Sequence, residues 1–271
     1  MPATSLPPRR PIITLLTDFG TSDGYVGAMK GAILSIQPEA EIVDISHDIP
    51  AHDVRAGAFV LKTTYRFYPR GTIHVAIVDP GVGGERLPVL LVTPDHFFIG
   101  PDNGIFSWIV RAEEVRDCRA LTAAHYMRES VSQTFHGRDI FGPAAAWLAR
   151  GAAKEGFGEP VGSLRTFGLP ETIVSEKTFR TEVIHVDRFG NCVLGTTRDE
   201  LERAVGAVPP QLQASVKGVV VTGLRETYDG GPSGAPFFLF GSTGHLEIAA
   251  HRASAAGLTR LARGDSVDVS F

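Results

Sequence analysis

Two carboxylates stand where chemistry is easiest to imagine. Asp18 ends the apolar, β-branched run PIITLLT (11–17) and is followed by Phe19-Gly20, and Asp79 ends TIHVAIV (72–78) and is followed by Pro80-Gly81-Val82-Gly83-Gly84. In open α/β sheets, small molecules bind just outside the carboxyl ends of the strands, at a switch point in strand order. Aspartate also opens turns on its own account, so either residue taken singly reads equally well as a turn former. Arg86 follows Asp79 closely, and the segment QTFHGRD (133–139) gathers polar side chains before a helix expected from about Ile140. His136 in that segment is a candidate for proton handling or for fixing a hydrogen-bond network, while Asp139 reads equally well as a helix cap. In DRFGN (187–191), Phe189 offers a flat face and Asn191 an amide edge, a pairing suited to an adenine-like ring. On residue types alone a plain β-turn ranks ahead there.

Familiar alternatives do not fit the spacing. There is no G-x-x-x-x-G-K-[ST], and no G-x-G-x-x-G opens a helix after the first strand. Asp18-Phe19-Gly20 matches a kinase triplet by letters only, since no V-A-I-K precedes it and His136-Gly137-Arg138-Asp139 is not H-R-D. The histidine-rich stretch His47-Asp48…His52-Asp53 contains Pro50, which precludes a helical histidine pair, and no H-E-x-x-H, H-x-H or G-x-S-x-G occurs. No metal site is expected.

The elements that must hold these residues follow from periodicity. Strand-type runs at 11–17, 41–46 and 72–78 alternate with helical stretches, one with Tyr25, Met29, Ile33 and Ile36 at three- and four-residue steps and one over about 53–65. Ser22 or Asp23 is the expected cap of the first helix, and Pro38 stops it. That alternation predicts an α/β domain with a mostly parallel central sheet over residues 11–168. Strands at 88–93 and 96–99 and helices at 103–110 and 141–150 complete it. Residues 151–178 hold several Gly and Pro and no sustained period, and within them 169–177 reads as a linker. Short strands over 178–271, including one at 215–222, predict a smaller, mainly-β, barrel-like domain. One helix interrupts them, opened by the capping box Thr197-Arg198-Asp199-Glu200.

The chain has 271 residues, with 26 Lys and Arg against 30 Asp and Glu, a net charge of −4. Without a basic surplus, no nucleic-acid partner is expected. Cys118 and Cys192 are the only cysteines, too few for a cysteine-based zinc site and in keeping with a reducing cytosol. Residues 1–10 are Pro-rich and basic without an apolar signal core, and no run of about 18 apolar residues occurs. A cytoplasmic protein with no membrane partner is expected.

Six segments together point further: TDFGTSDGYVGAMKG (17–31), VDPGVGGERLP (78–88), GPDNG (100–104), TFHGRDIFGPAAA (134–146), DRFGN (187–191) and GSTGHLEIA (241–249). In this order they resemble the S-adenosylmethionine (SAM) hydroxide adenosyltransferases, adenosine-forming hydrolases related to the fluorinase and chlorinase. The resemblance implies hydrolysis of SAM to adenosine and L-methionine by attack of water on the ribose C5′. It places the family's water-handling triad on Asp79, Arg86 and His136 and its ribose aspartate on Asp18. It assigns Asp23, Asp187 and Ser242 to the methionine amine and carboxylate, and Phe189, Asn191 and Tyr228 to adenine. It implies a homotrimer with sites between subunits and no cofactor. The chain departs from the family at His251, usually Asn, and from the fluorinase at His52, there Trp.

Two rival readings remain at this level. Halide transfer is disfavoured because the fluorinase's extra loop is missing after Arg86, where Pro88-Val89 follow almost directly, and because the chlorinase replaces triad positions that are kept here. A non-catalytic sensor of SAM or adenosine would not need the Asp-Arg-His set.

Overall fold

The apolar runs become strands, and alternate residues along them face two separate cores. The computed structural model describes residues 10–271, so most of the Pro-rich N-terminal stretch lies outside the described residues. The first unit, ending at Phe167, contains β1 (Ile12–Thr17), α1 (Tyr25–Ile36), β2 (Glu41–Ser46), α2 (Val54–Thr64), β3 (Ile73–Ile77), β4 (Pro88–Val92), β5 (Phe97–Pro101), α3 (Ser107–Ala112), β6 (Asp117–Ala120) and α4 (Gly142–Ala149). The sheet runs β2-β1-β3-β5-β4-β6, with β2, β1, β3 and β5 parallel and β4 antiparallel to both its neighbours. Ile13, Leu15, Val75 and Ile77 join Met29, Ile33 and Ala144 in one core. Leu16, Ala76 and Val78 join Ala58, Leu61 and Ile109 in the other. This period-two division between helix layers makes a three-layer α/β unit.

Strand order fixes where the loops converge. From β1 the chain goes to β2 on one side and then to β3 on the other, so β1 and β3 flank the switch point. Thr17 pairs with Ile77, which sets the loops beginning at Asp18 and Asp79 side by side at the carboxyl ends of neighbouring strands.

The second unit, Gly168–Phe271, contains β7 (Ile173–Val174), β8 (Thr178–Val186), β9 (Cys192–Thr197), α5 (Arg198–Val205), β10 (Gln213–Val216), β11 (Val219–Thr222), β12 (Leu224–Arg225), β13 (Pro236–Phe240), β14 (His245–Ala250), α6 (Ala255–Thr259) and β15 (Ser266–Ser270). Its strands follow the order β11-β10-β15-β8-β9-β14-β13-β12. Bonds from Gly223 N to Leu212 O and from Phe238 N to Gly223 O, each 2.9 Å, tie the two ends into a nearly closed barrel.

Local expectations differ from the structure in instructive places. The cap of α1 is Gly24, without a side-chain bond, so neither Ser22 nor Asp23 caps it. Tyr25, read as part of the apolar face, is 52% exposed, and the buried face of α1 is Val26, Met29, Ala32 and Ile33. Residues 215–222 form a hairpin rather than one strand, because Lys217 (φ 49°) and Gly218 (φ 85°) make a tight turn between β10 and β11. Within 169–177, β7 pairs with β8 and belongs to the barrel unit. The capping box at Thr197 and Glu200 is present.

Candidate active site

A cavity of about 490 Å³ opens at the switch point, within the roughly 300–1,000 Å³ typical of small-molecule sites. All of its wall comes from the first unit. Asp18 and Phe19 contribute from the loop after β1, Tyr25 from the start of α1, His52 from the β2–α2 loop, and Ile77, Asp79 and Val82 from β3 and its loop. Ser132, Thr134, Phe135, His136 and Arg138 close the remaining side.

The floor is fixed by backbone and side-chain bonds. Asn103 Nδ2 donates to Val78 O at 2.8 Å and pins the end of β3 one residue before Asp79. Gly20 N donates to His47 O at 2.8 Å, and Thr17 Oγ1 lies 2.8 Å from His47 Nδ1, so the loop bearing Asp18 is tied to the end of β2. Asp18 Oδ2 accepts the amide of His52 at 2.8 Å. His52 sits in the left-handed region at φ 67°, a conformation unusual for a non-glycine residue and frequent at functional loops.

Asp79, Arg86 and His136 form one continuous network. Arg86 Nε donates to both carboxylate oxygens of Asp79, at 3.1 and 2.9 Å, and its Nη2 donates to Oδ2 at 2.6 Å. The same Nη2 lies 2.7 Å from His136 Nδ1. A guanidinium can only donate, so Nδ1 is the acceptor and the neutral ring carries its proton on Nε2. Burial, with Arg86 beside it, holds the His136 imidazole below its usual pKa, against an opposing pull from Asp79 and Asp139. At neutral pH the ring is an uncharged Nε2–H donor.

Arg86 is only 7% exposed and is not part of the cavity wall, whereas Asp79 and His136 are. Its charge is spent on a buried pair with Asp79, so it organises the two wall residues. Phe19, Tyr25 and Phe135 also line the cavity and pack on one another, tilted or edge to face, with ring centres 5.3 to 6.1 Å apart. Aromatic faces of this kind attract cations. The sequence reading did not single out these three rings as site residues. Their signal was position, since each lies within seven residues of a candidate polar group.

The other candidates fall outside this cavity's wall. Asp23 is exposed in the turn before α1. In the second unit, Asp187 Oδ1 accepts the amides of Phe189 at 2.9 Å and Asn191 at 2.8 Å, and its Oδ2 accepts Asn191 Nδ2 at 2.9 Å. The DRFGN segment is therefore a side-chain-braced turn that presents Phe189, 78% exposed, to its surroundings. Ser242 is exposed in the β13–β14 turn. Tyr228 donates its hydroxyl to Glu247 Oε2 at 2.9 Å, and His251 lies 3.7 Å from Asp229. Glu247, 6% exposed, went unnoticed in the sequence; burial and the nearby Asp187 push its carboxyl up, against the Tyr228 bond. Its mark was a lone acid in the otherwise apolar strand HLEIAA. Among the described residues, no three His, Cys, Asp or Glu side chains group as metal ligands. Among the same residues, no helix is long and apolar enough to cross a membrane.

Comparison with known proteins matches this geometry to a family. Residues 13–158 match the SAM hydroxide adenosyltransferase N-terminal domain and residues 181–268 its C-terminal domain. The chain is 35% identical to an (R)-S-adenosyl-L-methionine hydrolase of Salinispora arenicola over 263 residues, 96% of this chain and 98% of that one. It is 35% identical to the protein of the same name from Thermus thermophilus, covering 94% of this chain and 97% of that one. A fluorinase of Nocardia brasiliensis is more distant, at 26% over 96% of this chain and 97% of its own. A crystal structure of an uncharacterized conserved protein from Thermotoga maritima superposes with a TM-score of 0.89 at 30% identity, covering 96% of this chain and 100% of that one. The chain belongs to the SAM hydroxide adenosyltransferase family.

Proposed function

We propose that this enzyme hydrolyses S-adenosyl-L-methionine to adenosine and L-methionine, with water attacking the ribose C5′. The observation that carries this reading is the Asp79–Arg86–His136 network bordering one cavity with Asp18, in a chain of this family. The substrate epimer is the R form named for the relatives.

The chemistry asks little of the protein beyond positioning. As the water oxygen bonds to C5′, the C5′–S bond breaks and its electron pair stays on sulfur as the neutral thioether of methionine. A sulfonium is already an activated leaving group, so the reaction calls for no metal or organic cofactor, and a chelator should leave turnover unchanged. Asp79 accepts a hydrogen bond from the water, His136 donates one through Nε2, and Arg86 holds both groups in register. The water's proton leaves by way of the Asp79 carboxylate to solvent. Asp18 holds the ribose hydroxyls, and the rings of Phe19, Tyr25 and Phe135 face the cationic sulfur. Asp23, Asp187 and Ser242 serve the methionine amine and carboxylate, and Phe189, Asn191 and Tyr228 serve adenine. Placement of these groups in both units supports a homotrimer whose subunits share sites, and a fully active monomer in light scattering would contradict that. We place the enzyme in the cytoplasm.

The test is chromatography of the purified protein with each sulfonium epimer. Equal amounts of adenosine and methionine, formed preferentially from the R epimer, are expected. Bound but unconverted substrate would indicate a sensor, and a 5′-halogenated nucleoside in the presence of chloride would indicate halide transfer.

A further inference from the structure

His136 reaches the cavity from a loop whose shape depends on one residue that the reaction does not use. Asp139 lies in the π-helical turn Gly137–Phe141 that precedes α4, and its side chain is fully buried. π-Turns are uncommon and recur at functional sites. The carboxylate reaches back along the chain: Oδ2 accepts the amide of Ser132 at 2.9 Å. Arg138 Nε donates to Oδ1 at 2.7 Å and its Nη2 to Oδ2 at 2.9 Å, while Arg128 Nε stands 3.5 Å from Oδ1. The backbone of the same residue closes the loop twice more, with Arg128 N donating to Asp139 O at 2.9 Å and Asp139 N to Phe135 O at 3.2 Å. Residues 128 to 139 are thus gathered around one carboxylate, and six of them, Ser132, Thr134, Phe135, His136, Gly137 and Arg138, form a wall of the cavity. The gathering extends outward, because Arg138 lies over the Phe135 ring at 4.9 Å.

We propose that Asp139 is a positioning residue for the reaction, clamping the 128–139 loop so that His136 meets Arg86 and presents Nε2 to the cavity. An ordinary helix cap would bond amides of the helix that follows, whereas this carboxylate bonds an amide seven residues before it. A buried charge with three polar partners is costly to maintain, and here it stabilises loop geometry rather than a helix end. Asp139 also acts on His136 through space, favouring its protonated form as Asp79 does and opposing Arg86. Asp18, Tyr25, His52 and Arg138 complete the titratable side chains on the cavity wall. The inference rests on His136 being part of the reacting site.

The test is Asp139→Asn, which keeps the shape and one acceptor but removes the charge. The His136 ring is followed by nitrogen NMR titration, the Ser132 amide by hydrogen exchange, and turnover by steady-state kinetics. With the negative charge gone, the His136 midpoint should fall by about half a unit or more. Ser132 exchange should quicken, and kcat should drop about tenfold or more with KM changed less than threefold. An unchanged His136 midpoint, or an unchanged kcat, overturns the proposal. If Asp139→Asn does not fold, Arg128→Gln replaces it, since Arg128 is half exposed and outside the cavity wall. That variant should quicken Ser132 exchange and lower kcat several-fold; no change in either contradicts the clamp. Should the wild-type chain fail to hydrolyse the sulfonium, the functional reading falls, and the titration and exchange arms alone decide the role of Asp139.

Discussion

Arg86 serves two partners that no shorter side chain can reach together. Its Nε and Nη2 grip Asp79, while Nη2 also meets His136 at 2.7 Å. Replacing it with alanine leaves the Asp79 carboxylate, whose side chain is 5% exposed, buried without a counter-charge. Arg86→Ala should therefore lower stability by about 3 kcal/mol, read as a shifted urea midpoint. It should also lower kcat by about a hundredfold or more while KM stays within a few-fold, because the network acts on the attacking water rather than on the bound cation. Arg86→Lys supplies charge but only one donor nitrogen, so it should restore stability better than kcat. A variant in which KM rises and kcat holds would place Arg86 in substrate binding instead. Asp79 and His136 were legible as candidates from their places after a strand and before a helix. The family resemblance grouped Arg86 with both of them, but spacing alone did not, because His136 lies 50 residues beyond Arg86 and reaches it only through the fold.

At the scale of elements, the two loops that carry the network touch through a glycine. Gly83 has φ +76°, and a Cβ there would lie 2.3 Å from the backbone oxygen of Gln133. The β3–β4 loop thus packs on the 128–139 loop at a distance only glycine permits, and the left-handed backbone adds its own penalty for alanine. Gly83→Ala should separate the loops, lower kcat tenfold or more and leave far-ultraviolet circular dichroism unchanged; kinetics equal to wild type would show that the contact is incidental. The alternation of strands and helices in the first unit was readable because β1, β3 and β5 are short, largely apolar runs bounded by turn residues. The hairpin within 213–222 was not, since VKGV reads as continuous β-sequence until the two positive φ values of Lys217 and Gly218 are known. Tyr25 misled for a related reason. It keeps the helical spacing of its neighbours but is the first residue of α1, where the helix end lines the cavity.

For the whole molecule, acid should be a sharper stress than the charge balance alone suggests. His74, in the middle of the parallel sheet, is fully buried, bonded to Thr14 at 2.8 Å, stacked on Phe98 and 3.4 Å from the ring of His96. Burial, aided by His96, pushes its pKa down to about 3, against roughly 6.5 in the unfolded chain. The fold requires the neutral ring, so this contribution is complete above about pH 6.5 and is lost progressively as the pH falls toward about 3. Between pH 6 and 4 the unfolded state binds about one more proton at this site, a slope of about 1.4 kcal/mol per pH unit. His74→Gln should flatten the pH dependence of the urea midpoint by about that amount; equal slopes in both proteins would assign acid sensitivity elsewhere. The bond that water makes is read directly from the oxygen of the product. When the enzyme turns over its sulfonium substrate in oxygen-18 water, each adenosine should carry one heavy oxygen, at the 5′-hydroxyl. Adenosine that carries no label, or a nucleoside that retains sulfur at C5′, would contradict it.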